Sequence, residues 1–472
     1  MSDALSPRAM RIPGSFRDPS GVVFRNGAEL YRQVNRCYAD DYDQLVSSGL
    51  ASNLIKGGHL IPHEEVESAA AIGSPTAYRV LRPERIPFIS HPYEWCFSQL
   101  RDAALLTLRI QLVALEHGMT LKDASAYNVQ FRGSSAPVFI DTLSFERYRE
   151  GQPWVAYRQF CQHFLAPLAL ISYRDARLAQ LFRVFIDGIP LDLATSLLPW
   201  STRLRPALAM HLHLHARAQR NYATSAGAKR SSSATTKSIA STSLRALIEH
   251  LETTISGLAW KPGFTEWSDY YSQTNYSEQA LDEKERLVSD ALNAISPRVV
   301  WDVGANTGRF SRLASSRNIP TIAFDLDAAA VEKNYRESKA AQDHCLLPLV
   351  LDLSNPSPAL GWAAEERESL EQRGPADVVL ALALVHHLAI GNNVPLPKVA
   401  EFFARLGRHL IIEFVPKSDS QVQRMLSSRA DIFTDYTQDG FEAAIDEHFR
   451  IDQRHPIGGS QRVLYVLGRR TS

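Results

Sequence analysis

"VVWDVGANTGRF", residues 299–310, is the stretch that decides the fold. A run rich in β-branched residues ends in an acid, and three turn-tolerant positions, Gly304, Asn306 and Gly308, follow at two-residue spacing. Short continuous apolar runs of this kind are strands buried on both faces of a parallel sheet. Glycines after such a strand let backbone approach a ligand closely.

The same character recurs outward from this loop. "TIAFDL" (321–326), "LPLVLDL" (347–353), "DVVLALAL" (377–384) and "HLIIEFV" (409–415) are apolar runs separated by segments able to hold a helix. That alternation predicts βαβ units, with helices on both faces of a parallel sheet. "FRIDQRH" (449–455) and "RVLYVLG" (462–468) are joined by "PIGGSQ", which is too short for a crossover helix, so they form a closing antiparallel hairpin. The expectation is an α/β fold: a doubly wound, Rossmann-like sheet of seven strands, five wound and two in the terminal hairpin.

A dinucleotide fingerprint needs G-x-G-x-x-G after the first strand. Here the pattern is D-x-G-x-N-x-G, and Arg309 or Phe310 falls where the third glycine would stand and would crowd a pyrophosphate. The loop suits a nucleoside with a short charged tail.

"WDVGANTGRFS" resembles motif I of the class I S-adenosylmethionine-dependent methyltransferases, and the resemblance covers most of residues 265–472. It implies S-adenosyl-L-methionine as cofactor, held outside the carboxyl ends of the strands. On this resemblance Asp325 accepts from the ribose hydroxyls, a task suited to two carboxylate oxygens. Asp352 accepts from the adenine amino group, Leu353 lies beside the ring, and Asp302 complements the methionine ammonium. Gly304, Asn306, Gly308 and Ala381 complete the implied cofactor set. A lone Asp after a strand is usually a turn former or a helix cap. Three at successive strand ends, after this loop, point to a ligand.

The fourth run enters "LALALVHHLAIGNN". In the family this end faces the sulfonium, so His386 and His387 are implied to lie near the transferred methyl, where an imidazole can take a proton from an acceptor. The competing reading has one histidine packed under the sheet and the other fixing a loop. Glu413, in "IIEFVPKSDSQVQRML", is assigned either to the acceptor pocket or to an ion pair with Lys417. "DIFTDYTQDGFEAAI" (431–445) reads as a loop and amphipathic helix forming an acceptor lid, and Trp267, Tyr270, Tyr271 and Tyr276 as aromatic cover or plain packing. The stretches "EFVPKSDSQVQRML" and "DYTQDGF" resemble bacterial methyltransferases grouped with the nodulation protein NoeA.

At 472 residues the chain exceeds one core, so two domains are expected. The tract "RAQRNYATSAGAKRSSSATTKSIASTS" (217–243) reads as a linker, leaving a flexible tail (1–16), an N-terminal α+β domain (17–216) and the methyltransferase domain (244–472). In the first half, Asp123 and Asn128 in D-x-x-x-x-N spacing, with Asp141 after "VFI", resemble the catalytic and metal loops of kinase-like folds. These oxygen ligands suit magnesium. The motif departs from the family, with Leu121-Lys122-Asp123 for His-Arg-Asp, Asp141-Thr142-Leu143 for Asp-Phe-Gly and no Gly-rich loop. Lys56 is the nucleotide-lysine candidate. The alternative is a domain that recognises the acceptor or assembles the protein. "HLHLHAR" (211–217) reads as exposed histidines at a helix end.

Fifty-one Lys and Arg balance fifty-one Asp and Glu, so neither nucleic acid nor membrane is expected as a partner. The four cysteines stand singly, which argues against a zinc cage or a disulfide framework. "FLAPLALISY" (164–173) is about half the ~20 residues of a spanning helix, and "MSDALSPRAMRIPGSF" holds no signal-peptide core. A cytoplasmic enzyme is expected. The fourth run lacks an Asn-Pro-Pro-Tyr motif, which weakens a case for amino-group methylation of bases or glutamine and leaves oxygen, carbon or small-molecule nitrogen acceptors open; the resemblance to the NoeA group implies a small-molecule or glycan acceptor. A cofactor sensor without turnover, and phosphotransfer by the first half, are the alternatives.

Overall fold

Backbone pairing in the computed structural model, which describes residues 9–67, 75–134, 136–214, 241–263, 278–427 and 430–470, sorts the strands into separate sheets. The chain divides into two compact units. The first comprises Met1–Phe131, Ala136–Lys261 and Leu360–Arg367; the second comprises Arg132–Ser135, Pro262–Ala359 and Glu368–Ser472.

In the first unit, β1 (Met10–Arg11), β2 (Gly21–Asn26), β3 (Glu29–Asn35), β4 (His63–Val66) and β5 (Ala77–Pro83) form an antiparallel sheet in the order β1-β2-β3-β5-β4. The expected flexible tail therefore contributes an edge strand at residues 10–11. Helix α1 (Phe97–Glu116) begins where the Gln99 side chain accepts from the Cys96 N–H at 2.9 Å. Beyond it lie two short ladders, β6 (Met119–Leu121) with β9 (Phe145–Arg147) and β7 (Val129–Phe131) with β8 (Pro137–Phe139). "FLAPLALISY" supplies the core helix α2 (Ala166–Tyr173), as its length requires. Most of the expected linker lies outside the described residues, as do Trp267, Tyr270, Tyr271 and Tyr276. Helix α3 (Ser241–Gly257) corrects the domain boundary. Its stripe of Leu244, Ile248, Leu251 and Ile255 is buried, and the helix belongs to the first unit.

In the second unit, α4 (Glu278–Ile295) precedes a seven-stranded sheet ordered β12-β11-β10-β13-β14-β16-β15. The strands are β10 (Val300–Val303), β11 (Thr321–Asp325), β12 (Leu346–Val350), β13 (Ala376–Ala381), β14 (Gly407–Phe414), β15 (Phe449–Pro456) and β16 (Val463–Arg469). The first five run parallel, and β16 is antiparallel to both β14 and β15. Each matches one expected apolar run. Val300, Val378, Leu380, Ile411 and Leu464 pack in one cluster with Leu287, Val288, Ala291 and Leu292 of α4. Winding runs one way from β10 to β12 and the other way from β13 to β14, so the order reverses between β10 and β13, where open α/β sheets form their ligand crevice. Among the described residues, no helix is long and apolar enough to cross a membrane.

Candidate cofactor and acceptor site

A cavity of about 310 Å³ opens at the reversal point. Gly304 and Asn306 line it from the loop after β10, Asp325 and Leu326 from β11, Leu351 to Ser354 from β12, and Leu382 to Leu384 with His387 from β13. The size falls in the range of small-molecule sites, and the mix of mostly apolar lining with a few polar groups is typical of them.

Local chemistry fixes the polar groups. Asp325 ends β11, and its oxygens accept the backbone N–H groups of Asn306 (2.7 Å) and Asp327 (2.8 Å), tying the loop after β10 to the tip of β11. Burial pushes its carboxyl up to about 6, against the pull of those N–H groups. Gly304 sits at φ 79°, and a Cβ there would meet the Leu384 side chain at 3.3 Å; this glycine keeps the cavity wall open. Asp352, two residues past β12, accepts the Ser354 N–H (2.8 Å) and hydroxyl (2.6 Å) on one oxygen, leaving the other without a partner among the described residues. His387 opens a π-helical turn, His387–Gly391, closed by Asn392 N–H donating to the His387 carbonyl at 3.0 Å. Such turns recur at functional sites.

Five sequence candidates do not line this cavity. Asp302 shares the face of Val300, under the loop; it is 2% exposed and accepts from Ser311 Oγ at 2.6 Å. Burial, with the charge of Asp325 nearby, pushes its carboxyl up to about 7. Gly308 is needed for packing instead: a Cβ there, at φ 82°, would lie 2.5 Å from the Asn334 side chain. Ala381 ends β13 one residue short of the lining, and it is fully buried. His386 is buried behind His387, ring centroids 4.1 Å apart, and its Nδ1 has no hydrogen-bond partner. Burial first, then His387, Arg462 and Lys284, hold this imidazole well below its ordinary value, so it is neutral.

Glu413 requires a correction on both of its readings. It follows Ile411 by two along β14 and so faces α4, where Lys284 Nζ donates to it at 2.6 Å; Arg462 lies at 3.4 Å on its other oxygen. Lys417 pairs instead with Asp431 at 2.8 Å. The Arg462 guanidinium also reaches Asp419 at 2.8 Å, and Asp419 caps helix α5 (Ser420–Leu426) through Gln421 N–H. This buried network of two cations and two anions was missed in the sequence. The expected lid is also corrected. Helix α6 (Gln438–Asp446) packs Phe441 against Phe414 (centroids 5.1 Å), Tyr436 donates to the Val415 carbonyl at 2.8 Å, and neither lines the cavity.

In the first unit the kinase-like candidates do converge. Ser144 Oγ donates to Asp141 at 2.7 Å and receives Asn128 Nδ2 at 3.2 Å; Asp123 is held half-buried, its carboxyl pushed up first by burial and then by Asp141. The cation paired with Asp141, at 2.5 Å, is Arg32 on β3. Lys56 is exposed at the end of a short helix, Leu50–Lys56. Among the described residues no group of three or more His, Cys, Asp or Glu is placed to hold a metal ion. The "HLHLH" histidines are not uniformly exposed: His211 is fully buried, between Tyr157 OH (2.7 Å) and His250 Nδ1 (2.8 Å), and His213 bonds Thr202 Oγ1 at 2.9 Å.

Strand order and cavity define an α/β protein whose second unit has a cavity at the carboxyl ends of a wound seven-stranded sheet. The chain is 37% identical over 469 residues, 99% of its length and 98% of the relative's, to "Nodulation protein NoeA" of Rhizobium meliloti (strain 1021), and it belongs to that family. No family model matches it. Solved structures that it resembles include magnesium protoporphyrin IX methyltransferase (ChlM) from Synechocystis PCC 6803 with bound SAM, at 15% identity over 45% of this chain and 87% of that one, TM-score 0.27. A TehB-like SAM-dependent methyltransferase from Corynebacterium glutamicum ATCC 13032 matches at 15% over 43% and 98%, TM-score 0.28. The bifunctional kinase-methyltransferase WbdD matches at 14% over 46% of each chain, TM-score 0.29.

Proposed function

We propose that the second unit binds S-adenosyl-L-methionine in the cavity between β10 and β13 and transfers its methyl group to a small-molecule or glycan acceptor. The observation that carries this reading is the pairing of Asp325 and Asp352 on one cavity with the glycine loop after β10. The donor set fits the group. A carboxylate has about four acceptor positions, and Asp325 spends two on backbone N–H groups, so two remain for adjacent hydroxyls. The unpartnered oxygen of Asp352 suits an amino donor, and Leu351 and Leu353 offer apolar faces for a ring.

When bound, the cofactor supplies a methyl group activated by a sulfonium. Asp325 and Asp352 fix the orientation of the nucleoside, Gly304 admits the tail past the wall, and Leu382 and Leu384 exclude water from the reacting end. His387, on the same wall, is the group placed to take the acceptor's proton; His386, buried and neutral behind it, packs its ring against that of His387. Asp302 acts through the loop, as a second carboxylate behind Asp325.

Calorimetric titration of S-adenosylhomocysteine into the wild type should show one site per chain, lost in Asp325→Ala. Incubation of a metabolite extract with methyl-labelled cofactor then separates enzyme from sensor, since only turnover moves label to an acceptor and releases the demethylated product. No binding by the wild type sinks the proposal.

A further inference from the structure

The balanced total charge conceals a local imbalance. Residues 193–244 contain seven Lys and Arg (Arg203, Arg205, Arg217, Arg220, Lys229, Arg230, Lys237) and no Asp or Glu, in a chain of zero net charge. The described part of this run also carries an unusual surface. Among the described residues thirteen large hydrophobics are exposed, and four of them, Trp200 (66%), Leu204 (66%), Met210 (42%) and Leu214 (60%), fall within residues 200–214.

These side chains belong to one local structure. The turn Trp200–Leu204 and the π-helical segment Ala209–Leu214 are held together by the Thr202–His213 bond at 2.9 Å, and the Arg203 charge lowers the His213 imidazole after burial does. Arg203 and Arg205 are both exposed on it, and Arg205 lies over the Tyr173 ring at 5.6 Å. Clustered exposed apolar side chains on a soluble protein mark a contact surface. Which partner it fits follows from the mixture. A nucleic acid would use the arginines but leave three aliphatic side chains in water, whereas an anionic bilayer interface accepts Trp and Leu at the headgroup level and attracts the arginines.

We propose that the surface formed by Trp200, Arg203, Leu204, Arg205, Met210 and Leu214 docks the protein onto an anionic phospholipid membrane, peripherally and without insertion of a helix. This proposal runs counter to the expectation, drawn from total charge, that no membrane is a partner.

Co-sedimentation of the full chain with vesicles of equal phosphatidylglycerol and phosphatidylcholine, against phosphatidylcholine alone, tests it. The wild type should pellet with the anionic vesicles only, and less so as salt is raised. Each arginine is worth about fivefold in partitioning, so Arg203→Ala with Arg205→Ala should weaken binding more than tenfold. Trp200→Ser with Leu204→Ser should weaken it by a similar factor while leaving the melting temperature unchanged, because both side chains are exposed. Failure of the wild type to bind either vesicle overturns the proposal. So does anionic-vesicle binding that survives Trp200→Ser with Leu204→Ser, and so does binding of single-stranded RNA or heparin in place of vesicles, which would assign the run to a soluble polyanion.

Discussion

Two carboxylates on neighbouring strands, one lining the cavity and one buried beneath it, do different work. Asp325 accepts from two backbone N–H groups at once, which only a carboxylate can do with both oxygens. Asp325→Asn would present an amide N–H to one of them, so the variant should bind S-adenosylhomocysteine at least tenfold more weakly in titration calorimetry and should melt lower, by about 1–3 kcal/mol in a urea series. Retained affinity would remove Asp325 from the site. Asp302 gives a pH signature. Its carboxyl stands at about 7 in the folded chain because burial penalises the charge. Its contribution is therefore complete below the ordinary carboxylate value and is lost as pH rises through about 7. Over that window the wild type should lose roughly 1.4 kcal/mol of stability per pH unit on account of this group. Asp302→Asn should lack this loss, so thermal melts should show it gaining on the wild type between pH 4 and pH 8. Parallel pH profiles for the two proteins would show that Asp302 does not titrate in this range.

Among elements, the buried network binds the helix before the sheet to the sheet's far side. Lys284 of α4 and Glu413 of β14 are 129 residues apart in sequence and 2.6 Å apart in space, with side chains 3% and 0% exposed. Removing one member of a buried pair costs about 3–5 kcal/mol because the other is left uncompensated. Lys284→Met should fall at the lower end in urea unfolding, since Glu413 keeps Arg462, and adding Glu413→Leu should recover most of the loss. Additive losses would contradict the coupling. This pair also shows where sequence reading stops. The five parallel strands and the hairpin were legible because strands buried on both faces carry continuous apolar runs, and Asp325 and Asp352 were legible because they follow those runs directly. Glu413 was visible as a strand-end acid, but its partner was not, because nothing in "LDEKERL" distinguishes a buried lysine from a solvated one. The first sheet was hidden for a related reason: β3 and β4 are half-exposed, so their apolar runs are broken, and Arg32 lay unrecognised in "ELYRQVN".

At the scale of the whole molecule, continuity of chain and continuity of packing part company. Leu360–Arg367 lies in sequence between β12 and β13 of the second unit but belongs to the first. Its chemistry gives the reason. Glu366 accepts from Arg17 Nη2 (2.7 Å) and Nε (2.8 Å), and from Trp362 N–H at 2.7 Å, while the Arg367 guanidinium lies over the Tyr127 ring at 4.2 Å. A bidentate arginine fork is the geometry in which a half-exposed pair still contributes. Glu366→Ala in the full chain should therefore loosen the first unit although the residue sits between strands of the second in sequence. Amide hydrogen exchange should show faster exchange in peptides covering residues 10–26, with peptides covering β10 to β14 unchanged. The Arg17 guanidinium holds the Glu366 carboxyl below its ordinary value, so the difference between wild type and variant should be present at neutral pH and vanish as pH falls through that lowered value. Exchange that instead rises in β12 and β13 would return this segment to the sheet it interrupts.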